Sequence, residues 1–215
     1  MWKRGLTKGA FNKLCSYTDL ALSDHGFLRF FWTSLNELPG KMYRSNQPYP
    51  YQIEKYKKRF DIKSIINLRG ERNCSSFYLE REYCKNNNIK LYNFPITSRD
   101  LPTKKTMNDF FFLLDEIKYP ALMHCKSGAD RAGIAACLYL IYKYNYDVPD
   151  ALRQLSFKYL HLKYAKTGIL DFLFETAIKE GQTSSKKFLE WINIGYDKNE
   201  LKKSFRASKF YDFLI

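Results

Sequence analysis

The segment Leu122-Met-His-Cys-Lys-Ser-Gly-Ala-Asp-Arg-Ala-Gly133 changes character twice within a few residues. An apolar run from Pro120 to Met123 reads as a short strand, a loop of small and polar residues follows, and from Ala132 to Tyr142 the chain is apolar enough for a buried helix. This order puts Cys125 at a strand end and Arg131 at the first turn of a helix. Loop N–H groups and a helix N-terminus favour negative charge, and the planar fork of Arg131 matches two oxygens of a phosphate. The same field favours the thiolate of Cys125 over its thiol. The expected result is a phosphate cradle formed by Lys126, Ser127, Gly128, Ala129, Asp130 and Arg131, with a nucleophilic sulfur inside it. The bland alternative is a buried cysteine beside an ordinary capping arginine.

Strands and helices alternate upstream of this segment. Lys41 to Arg44 reads as a first strand closed by Ser45-Asn-Gln-Pro48, Tyr51 to Phe60 as a helix, and Ile62 to Leu68 as a second strand. Ser75 to Asn86 is then a helix and Ile89 to Phe94 a third strand. Thr103 caps a helix reaching about Lys118, with Phe110, Leu113, Leu114 and Ile117 on its core face. Downstream the pattern is helical only: Ala132 to Tyr144, Val148 to Tyr159, Ile169 to Lys179 and Ser185 to Ile194. The fold class expected is α/β, a single central, mostly parallel sheet flanked by helices, with a helical C-terminal half. Ligands of such sheets bind beyond the carboxyl ends of the strands. Arg69, which follows the strand ending at Leu68, is therefore a candidate substrate contact; the alternative is a surface arginine paired with Glu71.

The run His124-Cys125-Lys126-Ser127-Gly128-Ala129-Asp130-Arg131 resembles the His-Cys-x5-Arg signature of the cysteine-dependent tyrosine and dual-specificity phosphatases. Tyr43-Arg44-Ser45-Asn46-Gln47-Pro48 resembles the opening strand of the bacterial dual-specificity-like branch. The resemblance implies a dual-specificity-phosphatase-like fold and two-step hydrolysis of phosphomonoesters with neither cofactor nor metal. Cys125 would attack phosphorus while Arg131 and the loop amides hold the equatorial oxygens; His124 would orient the loop. A carboxylic acid would protonate the leaving oxygen and then activate water against the phosphocysteine. The family places that acid upstream, in the loop Ile96-Thr-Ser-Arg-Asp-Leu-Pro102, where Asp100 is the candidate, against a plain turn aspartate. Asp130 is a second candidate, because an acid just before the arginine resembles myotubularin-like and Sac-type phosphoinositide phosphatases; its alternative is a buttress for the loop. Lys126 likewise resembles lipid-directed relatives. Most relatives carry Ser or Thr where this chain has Ala132, which implies a slow second step or a substitute hydroxyl.

The 215 residues, 45% hydrophobic and 17% aromatic, suffice for one sizeable core. We divide them into a basic, aromatic extension (1–38), a phosphatase domain (39–195) and a basic tail (196–215). The net charge of +14 calls for an anionic partner. A phosphorylated substrate, lipid, glycolipid or phosphoprotein, and an anionic membrane surface are expected; nucleic acid is not. Cys15, Cys74, Cys84, Cys125 and Cys137 contain no C-x-x-C pair, and their odd number argues against a closed disulfide framework and for a reducing compartment. Three scattered histidines argue against zinc. No apolar stretch approaches the roughly 20 residues of a membrane-spanning helix, so the expected location is the cytoplasm, with peripheral attachment at the inner membrane face. Phe27, Leu28, Phe31, Trp32 and Leu35 share one face of a short helix. That face is expected to pack on the catalytic domain or, with Arg29 and upstream lysines, to lie on anionic lipid. Three further readings stay open: a protein-tyrosine phosphatase proper, a weak phosphate-binding module, and a redox protein pairing Cys125 with Cys74, Cys84 or Cys137.

Overall fold

In the computed structural model, which describes residues 2–206, the apolar run before the loop is the central strand of a five-stranded sheet. This strand, β5 (Ala121–Cys125), is buried along its whole length, which is why it reads as continuous apolar sequence instead of alternating. In chain order the others are β1 (Asn36–Leu38), β2 (Met42–Asn46), β3 (Ser64–Asn67) and β4 (Lys90–Asn93), and the spatial order is β1-β2-β5-β3-β4. All neighbours are parallel except β1 and β2. β1 was not expected; three residues are too few to show a strand period. The register sets Asn46 of β2 opposite Cys125 and Asn67 of β3 opposite His124, so the carboxyl ends of three strands meet at the cysteine.

The chain forms two compact units. The first comprises residues up to Pro95 together with Lys118–Gly128. It holds the sheet and the helices α1 (Ala10–Leu22), α2 (Gly26–Phe31), α3 (Pro50–Phe60) and α4 (Ser75–Asn86). On one sheet face Tyr43, Ile65 and Leu122 pack with Ile53 and Tyr56 of α3 and Cys84 of α4. Pro50 opens α3 with a φ already helical, while the Tyr49 amide donates to Gln52 Oε1 at 2.8 Å. α1 is tied to α4 by Asp19, which accepts from Arg4 Nη2 at 2.8 Å and Ser75 Oγ at 2.7 Å. α2 differs from expectation. It stops at Phe31, and Phe27, Leu28, Phe31 and Trp32 are half or more exposed instead of packed. Arg29, expected to face lipid, is the buried residue, because Asp24 and Gln52 hold it inside.

The second unit, residues 96–117 and 129 onward, is helical among its described residues. Its elements are α5 (Lys104–Glu116), α6 (Asp130–Tyr144), α7 (Val148–Leu152), α8 (Ile169–Lys179), α9 (Ser185–Ile194) and α10 (Lys198–Ser204). Thr103 caps α5 as expected, its Oγ1 accepting from the Thr106 amide at 3.0 Å. α6 begins at Asp130, ahead of the expected Ala132, and so takes Asp130 and Arg131 into its first turn. The single helix expected over Val148–Tyr159 is broken: α7 ends at Leu152 and a separate turn of 3₁₀-helix covers Phe157–Tyr159. The break serves packing, since a Cβ on Gly133 of α6 would lie 2.6 Å from Leu155 and 3.1 Å from the Gln154 carbonyl. Gly133 thus admits the chain after α7. In the tail, α10 buries Leu201, and Phe205 packs on Phe172 with ring centres 5.6 Å apart. Lys209, Phe210, Tyr211 and Phe213 lie outside the described residues. None of the described helices is long and apolar enough to cross a membrane.

Candidate active site

Cys125, 1% exposed, ends β5, and the chain beyond it turns through Gly128 at φ 81°. The Gly128 amide donates to Cys125 Sγ at 3.3 Å. Two loop carbonyls are tied down from outside the loop. The Gln47 amide donates to the Lys126 carbonyl at 3.3 Å, and Arg44 Nη2 to the Gly128 carbonyl at 2.7 Å. A fully buried arginine in an inner strand, here β2, is costly unless its donors are used, and this one shapes the loop. Gly128 is required twice over: its φ is left-handed, and a Cβ would sit 2.9 Å from both the Asn46 amide and Ser34 Oγ. Gly128→Ala is expected to cost about 1–3 kcal/mol of stability and to lower turnover by distorting the Sγ contact. Denaturant unfolding and aryl phosphate hydrolysis check both; an alanine variant with unchanged activity removes the loop from the chemistry.

Behind the loop runs a buried polar chain within the same unit. His124 Nε2 lies 2.7 Å from Glu80 Oε1, both side chains being fully buried. Glu80 Oε2 accepts from Gln47 Nε2 at 2.8 Å, and Gln47 Oε1 accepts from Arg69 Nη1 at 3.0 Å. Arg69 then grips Asp24 with both terminal nitrogens, each at 2.8 Å. Asn67 builds the turn that aims Arg69 inward, its Oδ1 accepting the Arg69 amide at 3.0 Å and its Nδ2 donating to the Gly70 carbonyl at 3.0 Å. Asp24 also accepts from Arg29 and Ser76, and lies 3.9 Å from Lys126 Nζ. Burial opposes ionisation of Asp24, but the guanidinium of Arg69 outweighs it and holds the carboxyl well below its usual range. Arg69 therefore faces an acid from the N-terminal extension. It does not pair with Glu71, which accepts from Asn93 Nδ2 at 3.1 Å. Three cations share one carboxylate, and of them Lys126 has the exposed side chain, at 42%.

The second unit positions the remaining candidates. Asp130 and Arg131 open α6, and Asp130 Oδ1 lies 2.7 Å from His161 Nδ1. The other ring nitrogen of His161 lies 2.5 Å from Asp171 Oδ2 in α8. Burial alone would favour neutral imidazole; the hydrogen bonds to Asp130 and Asp171 reverse this and push His161 up to about 9. An imidazolium between two carboxylates thus pins the first turn of α6. Asp100 is 2.7 Å from Lys198 Nζ and 3.0 Å from Lys202 Nζ. Burial works against its ionisation, yet the two ammonium groups of α10 hold its carboxyl below the ordinary range.

Arg44, Gln47, Glu80, Asp24, His161 and Asp171 were not singled out by reading the sequence. Arg44 and Gln47 stood in the Tyr-Arg-Ser-x-Gln-Pro segment, where a charge inside a strand is itself a signal. The others carry none, because Glu80 depends on a partner 33 residues away, Asp24 on one 45 away and His161 on one 31 away, and Asp171 is engaged through His161. Ala132 is fully buried in α6. No disulfide joins any of the five cysteines; Cys137 donates to the Ala151 carbonyl at 3.1 Å, and burial pushes the Cys84 thiol up. Among the described residues no cluster of His, Cys, Asp or Glu is arranged to hold a metal.

The model of the "Tyrosine phosphatase family" matches residues 34–148, just over half of the chain. The chain is similar to inositol diphosphatase DSP4 of Arabidopsis thaliana, 29% identical over 177 residues that cover 79% of this chain and 76% of that protein. A putative phosphatase (DUF442) of Shewanella putrefaciens CN-32 shares the fold with a TM-score of 0.52 and 19% identity, over 72% of this chain and 97% of that one. The core catalytic domain of the PP-IP phosphatase SIW14 from S. cerevisiae matches with a TM-score of 0.49 and 20% identity, over 80% of this chain and 91% of that one.

Proposed function

The chain belongs to the tyrosine phosphatase family and is a cysteine-dependent phosphatase of the tyrosine and dual-specificity type; from that premise we propose that it acts through a phosphocysteine on a diphosphate carried by a phosphorylated polyol head group, inositol-, lipid- or glycolipid-borne. In this reading the Cys125 thiolate bonds to phosphorus in line as the bond to the leaving oxygen breaks. Arg131 and the amides of Lys126 to Arg131 carry the charge of the equatorial oxygens. Lys126, next to the nucleophile and half exposed, takes a second phosphate of the same head group. Water then cleaves the S–P bond, releasing phosphate and restoring the thiolate. The proposed setting is the cytoplasm, at a membrane face that carries such head groups.

The preference for one kind of phosphate rests on one observation: both candidate acids are held in ion pairs. Asp100, kept below its ordinary range, is ionised at neutral pH and has no proton for a departing alkoxide. Leaving groups that depart as stable anions need none. The inner phosphate released when the terminal phosphoryl of a diphosphate passes to sulfur is such a case, as is a phenolate, so phosphotyrosine is the second reading the same observation favours. A relative named for inositol diphosphates supports the first.

The test is a panel of an inositol diphosphate, a phosphorylated glycolipid, a phosphoinositide, a phosphotyrosine peptide, an aryl phosphate and a simple alkyl phosphate, with Cys125→Ser as control. The alkyl ester is expected to lag the aryl ester by about 10²-fold or more beyond its intrinsic reactivity, the share a positioned acid would supply. Joint Lys198→Ala and Lys202→Ala replacement returns Asp100 toward the ordinary carboxyl range and is expected to narrow that gap as the pH falls toward that range, where the freed carboxyl begins to hold a proton. Equal handling of alkyl and aryl esters by the unaltered protein sinks the leaving-group argument. A phosphotyrosine peptide outrunning the inositol diphosphate shifts the assignment to the second reading.

A further inference from the structure

Helix α2 has its polarity reversed for a helix at a protein surface. Its charged residue, Arg29, is 5% exposed, whereas Leu28 is 60% and Phe31 87% exposed, with Phe27 and Phe30 also in solvent. So short a helix is not stable by itself in water. It is held by Arg29, whose Nη2 donates to Asp24 Oδ2 at 3.0 Å and whose carbonyl accepts from Gln52 Nε2 at 3.2 Å. A buried ion pair thus fixes the backbone so that the aromatic side chains point outward. Contiguous exposed apolar surface of this kind marks an interaction site.

α3 supplies charge beside it. The Phe30 ring stands 5.9 Å from that of Tyr51, and Phe30, Tyr51, Lys55 and Arg59 line a groove of about 340 Å³. Next to Tyr51, Lys55 and Arg59, a wider depression of about 530 Å³ adds Lys58 and Glu54, which pair with each other at 2.6 Å. Lys55 and Arg59 are left as the net charge of this face.

We propose that α2 and the basic face of α3 dock the protein onto an anionic lipid bilayer. Phe27, Leu28 and Phe31 enter the boundary between head groups and acyl chains, and Lys55 and Arg59 meet acidic head groups. Charge complementarity selects this occupant. A second copy of a chain with net charge +14 would bring like charge to the same face. The surface also leads to the catalytic loop, because Asp24, which holds Arg29, is the carboxylate that grips Arg69 and lies 3.9 Å from Lys126 Nζ. Docking rests on the head-group reading above only for what the bilayer offers as substrate.

The test is flotation of the full chain, carrying Cys125→Ser, with phosphatidylcholine vesicles that contain or lack phosphatidylglycerol, a lipid without a phosphomonoester. Binding is expected only with the anionic lipid and weakens with salt. The pairs Leu28→Ser with Phe31→Ser, and Lys55→Glu with Arg59→Glu, are each expected to reduce it at least about tenfold. Placed in the otherwise unaltered chain, they leave hydrolysis of a soluble aryl phosphate unchanged. Absence of binding at low salt overturns the proposal, as does binding that both pairs leave intact. So does a dimer, seen by sedimentation, that the Leu28 and Phe31 replacements dissociate, since the face would then serve a protein contact. If the vesicles bind but no head-group phosphate is hydrolysed, docking stands and the substrate reading falls.

Discussion

Cys125→Ser is expected to cut phosphate release by about 10⁴-fold or more, the scale on which loss of a nucleophile is felt, while the protein stays folded. Serine is nearly isosteric at this buried strand end, and the Gly128 amide that reaches Sγ at 3.3 Å can serve an oxygen as well. A hydroxyl, unlike a thiolate, needs a base before it attacks. Within its unit His124 faces the buried carboxylate of Glu80, and Asp100 and Asp130 are engaged with lysine and histidine cations. No ready base follows from these pairings, so turnover should fall while phosphate binding survives. The unaltered enzyme is expected to show a burst of leaving group followed by a slower steady rate, because Ala132 offers no hydroxyl to assist breakdown of the proposed phosphocysteine. Ala132→Ser should shorten the slow phase. Rapid-quench kinetics and trapping of labelled protein measure all three; activity that outlives Cys125→Ser removes the nucleophile assignment, and a burst without any steady rate makes the protein a phosphate-trapping module.

His161→Ala is expected to destabilise the protein by about 3–5 kcal/mol, the cost of breaking a buried ion pair by removing one partner. Two carboxylates, Asp130 and Asp171, would then share an enclosed site without their cation. The pH dependence gives a sharper test. The folded-state value of His161, about 9, lies above the 6.5 of free histidine. The stability contributed by the clamp is therefore fully present below pH 6.5 and is lost as pH rises through about 9. Denaturant unfolding of the unaltered protein should show this alkaline loss, and the alanine variant should lack it. Parallel curves for the two proteins would falsify a charged clamp. Activity should follow, because Arg131 sits in the helical turn that the clamp pins and its guanidinium orientation depends on that turn.

The segment from Leu122 to Gly133 was legible because its information is local. An apolar run, a small-residue loop and an apolar helix sit in consecutive positions, so the strand end at Cys125 and the helix start near Arg131 follow from residue order alone. α8 and α9 match the expected ranges for the same reason, each carrying its own apolar periodicity between turn residues. Failures came where burial is settled by something distant. The exposed side of α2 reads as its core side because Phe27, Leu28, Phe31 and Trp32 fall at helical spacing; Asp24 stands only five residues before Arg29, but nothing nearby in sequence says that this acid is buried against Arg69, 45 residues on. The helix expected over Val148–Tyr159 breaks at Leu152 because Gly133, some twenty residues earlier, leaves room for the chain there.

By itself the sequence determined the order at the strand end: a cysteine, a small-residue loop and an arginine at covalently set spacing, on a mostly parallel sheet. Only the tertiary structure decided which of the candidate charged residues are already paired. Asp24 reaches Arg69 across 45 residues, His161 reaches Asp130 across 31, and Lys198 reaches Asp100 across 98. An ion pair depends on where the chain returns, and a charged residue carries no mark of its partner. Asp100 and Asp130 look equally fit to donate a proton until their cations are seen beside them.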